Sequence, residues 1–275
     1  MKLLAVLLMV EAIFSAPVDL NPEENRNLEG TDYFEGDMML TPQQRGNAEM
    51  GLDVYISGGF GGQAASIITP LWPNGEIVYD IDSSVANDPR GMAAVMAGMD
   101  EWTSKTCIRF KKRTTETDYA YFTTGSGCSS FVGKIGGRQN IILERGLCWN
   151  KGTVTHEIGH AVGYFHEQSR PDRDQYVAIF LDNVKPGKKH NFKKYSRTLI
   201  DSLGTPYDYQ SVMHYGQFDF TRNGLPTITP LKNGVTIGQR DGLSIIDANQ
   251  ANLLYKNCGR NAQSVTTAHP TTHST

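Results

Sequence analysis

His156-Glu157-Ile158-Gly159-His160-Ala161-Val162-Gly163-Tyr164-Phe165-His166 is the stretch on which the reading of this 275-residue chain turns. On an α-helix, residues four apart lie one above the other, so His156 and His160 present ring nitrogens to one ion while Glu157 projects beside them. Gly163 has no Cβ; it can take a left-handed conformation, end the helix and swing His166 round as a third ligand. A closed structural zinc site supplies four protein ligands. Three ligands and a water make a catalytic site, in which zinc lowers the water pKa towards about 7 and Glu157 is placed to accept the proton. Five fixed positions match by chance on the order of once in ten thousand chains of this length, which sets aside ordinary solvent-facing histidines.

Working outward, the flanking segments predict an α+β arrangement. Upstream, Glu76-Ile77-Val78-Tyr79-Asp80-Ile81 reads as a strand, and Asp88-Pro89 supplies an N-cap and a first-turn proline for a helix running to about Ser104. Met92, Met96 and Met99, with Ala93 and Trp102, recur there at helical spacing and predict the core-facing stripe. Strand-like runs follow at 107–112, 119–123 and 140–143, so a helix on a small sheet precedes the motif. Beyond about residue 182 the chain is rich in Gly, Pro, Asn and Asp and should be irregular, with one late amphipathic stretch over 241–255.

The ends read differently. A basic start, a short apolar run and the small residues Ser15 and Ala16 make 1–16 a signal peptide. Residues 17–62 read as an acidic pro-segment closing in a glycine-rich linker, 63–259 as the catalytic domain, and 260–275 as a disordered Ser/Thr-rich tail in which His269 and His273 are solvated. A formal net charge of −3 with interspersed signs argues against nucleic acid or a membrane surface as a partner. Four cysteines, Cys107, Cys128, Cys148 and Cys258, are an even number that an oxidising compartment would pair, and three pairings are open.

The histidine motif followed by a methionine turn is the metzincin signature. With Glu167-Gln168-Ser169-Arg170-Pro171-Asp172-Arg173-Asp174 directly after it and Ser211-Val212-Met213-His214-Tyr215 downstream, the chain resembles the astacin family over about residues 32 to 258. That resemblance implies a metzincin-type catalytic domain of two subdomains about an active-site cleft, the N-terminal half sheet plus helices, the C-terminal half mostly irregular with one late helix. It implies Met213 beneath the imidazoles, and Tyr215 as a zinc ligand at rest that stabilises the oxyanion in the transition state. It pairs Cys107 with Cys258 and Cys128 with Cys148. Phe34-Glu35-Gly36-Asp37 resembles the family's pro-segment motif, in which the aspartate, here Asp37, takes the zinc position that water needs.

Trp72-Pro73-Asn74-Gly75-Glu76-Ile77 resembles the start of the mature domain in relatives. This implies a new N-terminus near Gln63 or Ala64 whose amine is received by Glu167. The chain departs from the pattern in having no Lys or Arg between Arg45 and Arg90. Either another protease class or autolysis makes the cut, or cleavage after Arg45 leaves an extension and the Glu167 contact is not made.

The resulting expectation is a secreted, monomeric zinc endopeptidase made as a zymogen, with one Zn2+ per chain. Zinc-activated water hydrolyses peptide bonds and Glu157 is the general base. Its partners are a protein or peptide substrate and an activating protease, unless it cuts itself. No G-x-S-x-G elbow offers a competing nucleophile. Two other readings stand beside it: a zinc-bearing but silent binding module, which predicts loss of Glu157 or Tyr215 or a fourth protein ligand, and a zinc amidase acting on non-protein substrates.

Overall fold

A computed structural model describes residues 33–50, 70–195, 200–256 and 258. The expected signal peptide, the glycine run at 58–62, the start near Gln63 or Ala64 and the tail with His269 and His273 lie outside the described residues.

The elements run β1 (Met38–Met39), α1 (Pro42–Met50), β2 (Glu76–Ile81), α2 (Ser83–Ala86), α3 (Pro89–Lys105), β3 (Arg109–Lys112), β4 (Tyr119–Thr123), β5 (Cys128–Phe131), β6 (Arg138–Leu143), α4 (Lys151–Val162), β7 (Val177–Ile179), β8 (Ile228–Pro230) and α5 (Ile245–Leu254). One six-stranded sheet has the order β1-β5-β6-β4-β2-β3. Its pairs are parallel except β5 with β6. Among the described residues, the C-terminal half holds only the β7–β8 pair, short 3₁₀ turns and α5.

The α3 helix starts where Asp88 caps it, its side chain accepting from Arg90 N–H, with Pro89 in the first turn. Its inward face matches the predicted stripe only at Met99 and Trp102: Ala93 and Met96 are exposed and Met92 is half-buried, whereas Gly91, Ala94, Val95, Gly98, Met99 and Trp102 are buried. The reason is the partner helix: a Cβ at Gly98 would lie 2.5 Å from Val154 Cγ1 on α4, so a residue without a side chain must form that contact. Trp102 locks the pair, its indole N–H donating to Thr155 O at 2.9 Å.

The α4 helix is buried from Gly152 to Val162, so it is the central element and not an amphipathic surface helix. Asn150 caps it by accepting from Thr153 N–H at 2.8 Å. Gly163 ends it at φ 123°, in the region that favours glycine. Trp72 Nε1–H donates to Ala161 O at 2.9 Å and the Tyr255 hydroxyl to Val162 O at 2.7 Å, satisfying carbonyls of the last turn.

A disulfide joins Cys128 on β5 to Cys148 just before α4. The bridge expected between Cys107 and Cys258 is not closed in this structure, but the two half-buried thiols are neighbours, Cys258 lying in side-chain hydrogen-bond contact with Cys107. Main-chain carbonyls flank the pair, Tyr255 O 3.9 Å from Cys107 Sγ and Asn74 O 3.4 Å from Cys258 Sγ. Burial, together with the neighbouring Cys107, pushes the Cys258 thiol up.

Candidate metal centre and cleft

The imidazoles of His156 and His160 leave α4 on one face, and the turn at Gly163 returns the chain so that His166 meets them; all three are buried. Each ring is held from behind at Nδ1. His156 donates to Val212 O, His160 to Tyr164 O and His166 to Glu35 Oε2, each at 2.8 Å. With a metal bound, those acceptors fix the tautomer, so every Nε2 lone pair would face inward.

They converge on Asp37. His156 Nε2 lies 3.1 Å and His166 Nε2 3.3 Å from Asp37 Oδ2, and His160 Nε2 lies 3.5 Å from Asp37 Oδ1. Ligands about 2.0–2.2 Å from a tetrahedral zinc sit roughly 3.3–3.6 Å apart, so these spacings are close to the edges of such a site. Asp37 Oδ1 and His160 Nε2 are buried without a well-formed hydrogen bond, which a cation between them would satisfy. Among the described residues this is a four-member group able to hold a metal, with ligand atoms within 4.8 Å of one another. Burial opposes ionisation of Asp37, but the charges of His166 and His160 and the hydrogen bond from His156 hold it well below the usual carboxylate range. Burial likewise works against a charged His166, yet Asp37 and Glu35 raise it to about 9.

Glu157 is fully buried on the same helix, one residue from His156. Met213 lies beneath α4: a Cβ at Gly159 would meet its Sδ at 2.6 Å, so that glycine makes room for the methionine. Tyr215 packs against His166, ring centroids 4.6 Å apart with the planes tilted by 55°. It donates to the main-chain carbonyl of Glu35. Glu167 is buried and accepts from Arg170 Nη1 at 3.1 Å and Asp208 N–H at 2.8 Å. Burial pushes its carboxyl up to about 8 although both of those contacts pull it down.

With this geometry in place, residues 65–256 match the family model described as Astacin (Peptidase family M12A). The chain belongs to the astacin family. It is 48% identical over 192 residues to zinc metalloproteinase nas-14 of Caenorhabditis elegans, covering 69% of this chain and 38% of that protein. It is 43% identical to nas-15 of the same organism, covering 87% of this chain and 42% of the other. It thus spans about two fifths of the length of these curated relatives. Among solved structures, high choriolytic enzyme 1, a hatching enzyme zinc-protease from Oryzias latipes (medaka fish), superposes with a TM-score of 0.64 at 38% identity, covering 72% of this chain and 99% of that one.

Three supports of this astacin-type site have no counterpart in the sequence reading. Asp247, at the start of α5, accepts from Ser211 Oγ at 2.7 Å and Val212 N–H at 2.9 Å, and so fixes the turn whose carbonyl holds His156. Gln168 Oε1 accepts from Tyr215 N–H at 3.0 Å. Glu35 backs His166 and also accepts from Ser169 Oγ at 2.8 Å. Only Asp247 had a sequence signal, the S-x-x-D capping box with Ser244.

Proposed function

We propose that this chain is a secreted zinc endopeptidase made as a zymogen, with His156, His160 and His166 as the metal ligands and Asp37 in the position water takes in the active enzyme. The observation that carries the reading is the convergence of three backed Nε2 atoms on one buried carboxylate at 3.1–3.5 Å. When bound, zinc supplies a Lewis acid that polarises the scissile carbonyl and acidifies water towards neutral pH.

The residues then divide the work. Glu157 takes the proton from the attacking water and delivers it to the leaving amine. Once the pro-segment departs, the Tyr215 hydroxyl is freed from the Glu35 carbonyl and donates to the developing oxyanion, a role worth several kcal/mol of barrier, roughly 3 by analogy with other oxyanion donors. β5 loses β1 as its neighbour, and its edge can take an extended substrate strand, as Ser130 N–H now donates to Asp37 O at 3.1 Å. Glu167 receives the new amine if the cut falls near Gln63. Export rests on the signal-like residues 1–16, and no helix among the described residues is long and apolar enough to cross a membrane.

The test compares the intact chain, the processed chain and Asp37→Ala on a denatured protein substrate, with zinc content measured in each. The expected result is a silent intact chain, activity on processing or in Asp37→Ala, loss with a chelator, and Glu157→Gln that keeps zinc but cuts nothing. Stoichiometric zinc without cleavage after processing would instead favour the binding module. Cleavage confined to non-protein amides would favour the amidase.

A further inference from the structure

Glu35 lies two residues before Asp37 and is 1% exposed. One carboxylate oxygen takes the His166 Nδ1 proton and the other the Ser169 hydroxyl, both at 2.8 Å, while its main-chain carbonyl takes the Tyr215 hydroxyl. It does so from φ 49°, a left-handed conformation uncommon for a residue with a Cβ. A residue held in such a conformation is over-determined by its surroundings.

The three histidines differ in what backs them. His156 and His160 lean on Val212 O and Tyr164 O, main-chain carbonyls of the catalytic domain that stay after processing. His166 alone leans on a residue of the segment that is removed. It is also the one of the three backed by a carboxylate, the partner that most raises imidazole basicity.

Resting on the zymogen reading above, we propose that Glu35 is a positioning residue of the zymogen: it orients His166 for the metal while its carbonyl keeps Tyr215 off it. The zymogen therefore binds the metal more tightly than the processed enzyme does, for a reason separate from the fourth ligand Asp37. Loss of an outer-sphere partner typically costs 10–100-fold in metal affinity, and that is the size of the effect assigned to the Glu35 carboxylate.

Glu35→Gln keeps the volume, the backbone and the carbonyl that holds Tyr215; it removes the charge and turns one acceptor oxygen into an NH2 donor, which the rotatable Ser169 hydroxyl can accept while the amide oxygen still takes the His166 proton. Zinc affinity is measured by chelator competition on full-length wild type, Glu35→Gln and Asp37→Ala, each before and after cutting at a specific protease site placed within 58–62. The Glu35→Gln zymogen should bind zinc 10–100-fold more weakly than the wild-type zymogen, and the two cut and separated enzymes should be equal in affinity and kcat/KM. If Glu35→Gln misfolds, Ser169→Ala loosens the same carboxylate from the catalytic-domain side; its zymogen should lose several-fold, and that loss should vanish after the cut. Zymogen affinities within threefold of wild type, or a deficit that persists after cutting, overturn the proposal. Activity in intact Asp37→Ala with unchanged Glu35→Gln affinity rejects Glu35 alone, whereas silence in Asp37→Ala rejects the latency reading beneath it.

Discussion

Asp247 offers the sharpest test of how the site is held. Its buried carboxylate accepts from Ser211 Oγ at 2.7 Å, Val212 N–H at 2.9 Å and Ser244 N–H at 3.0 Å. Burial raises it from 3.8 to about 6, the Ser211 and Val212 hydrogen bonds opposing and Asp208 adding to the rise. That rise corresponds to ~3 kcal/mol. The native state binds the proton more tightly than the unfolded chain, so this stabilisation is full below about 3.8 and lost as pH climbs through about 6. Asp247→Asn removes the titration. Its Oδ1 can serve both N–H donors and its Nδ2 can donate to Ser211 Oγ, leaving one hydroxyl proton to find a new acceptor at a cost of about 1 kcal/mol. Urea unfolding of the intact chain should therefore show the difference between wild type and Asp247→Asn shifting by ~2.4 kcal/mol in favour of Asn from pH 4 to pH 7. A difference flat to within about 1 kcal/mol would refute the reasoning, because the three hydrogen bonds would then outweigh burial. The comparison must be a difference between variants, since His214 titrates in the same window with the opposite sign.

His214 is buried, donates from Nδ1 to Tyr215 O at 2.8 Å and accepts from the Tyr207 hydroxyl at 2.7 Å, and burial lowers it to about 4. Its neutral form contributes ~3 kcal/mol above about pH 6.5 that is lost as pH falls through about 4; His214→Gln should flatten that acid limb in the same urea series. Gly98→Ala sets a Cβ 2.5 Å from Val154, a β-branched residue with little room to yield. Overpacking of about 1–3 kcal/mol should exceed the roughly 1 kcal/mol gained in helix propensity, so calorimetry should show a lower Tm; an unchanged or higher one would mean α3 and α4 can separate without penalty. Replacing Cys128 and Cys148 together by alanine opens a loop of sequence separation 20 and should cost about 3 kcal/mol in urea unfolding without reductant. Equal stability of mutant and wild type would show that the loop is held by other contacts.

What was legible in the sequence was what is local. The i, i+4 spacing of His156 and His160, the glycine stop at Gly163 and the Asp88-Pro89 start are all decided within a turn or two, and the structure has each where the spacing put it. Strand β5 was missed because Cys-Ser-Ser-Phe has no apolar alternation; its pairing with β6 and the Cys128–Cys148 bridge make it a strand. The methionine stripe misled at Ala93 and Met96 because periodicity finds a helix but cannot tell a stripe facing a sheet from one displaced by a close helix neighbour, which only Gly98 against Val154 reveals. The outer partners of His156 and His160 are main-chain carbonyls, which every residue type offers, so no letter in the sequence could mark them.

The Phe34–Asp37 turn separates affinity from specificity. Glu35 and Asp37 are 1% and 0% exposed, and burying two carboxylates costs several kcal/mol each before any partner is counted. Their hydrogen bonds and imidazole contacts, with coordination by Asp37 once a metal is bound, offset that cost. The apolar neighbours add a hold of their own. Phe34, Met38 and Ala48 pack with Val132, Phe165, Tyr195 and Ile200, and burial of Phe34 and Met38 contributes about 1.5–3 kcal/mol apiece. The β1–β5 pairing fixes their register, Met38 opposite Ser130 and Met39 opposite Phe131. A one-residue slip would turn Met38 away from this cluster and carry Asp37 off the histidines at the same time. The strand pairing and the apolar anchors thus set where the two carboxylates fall, and the carboxylates set which atoms of the centre are covered.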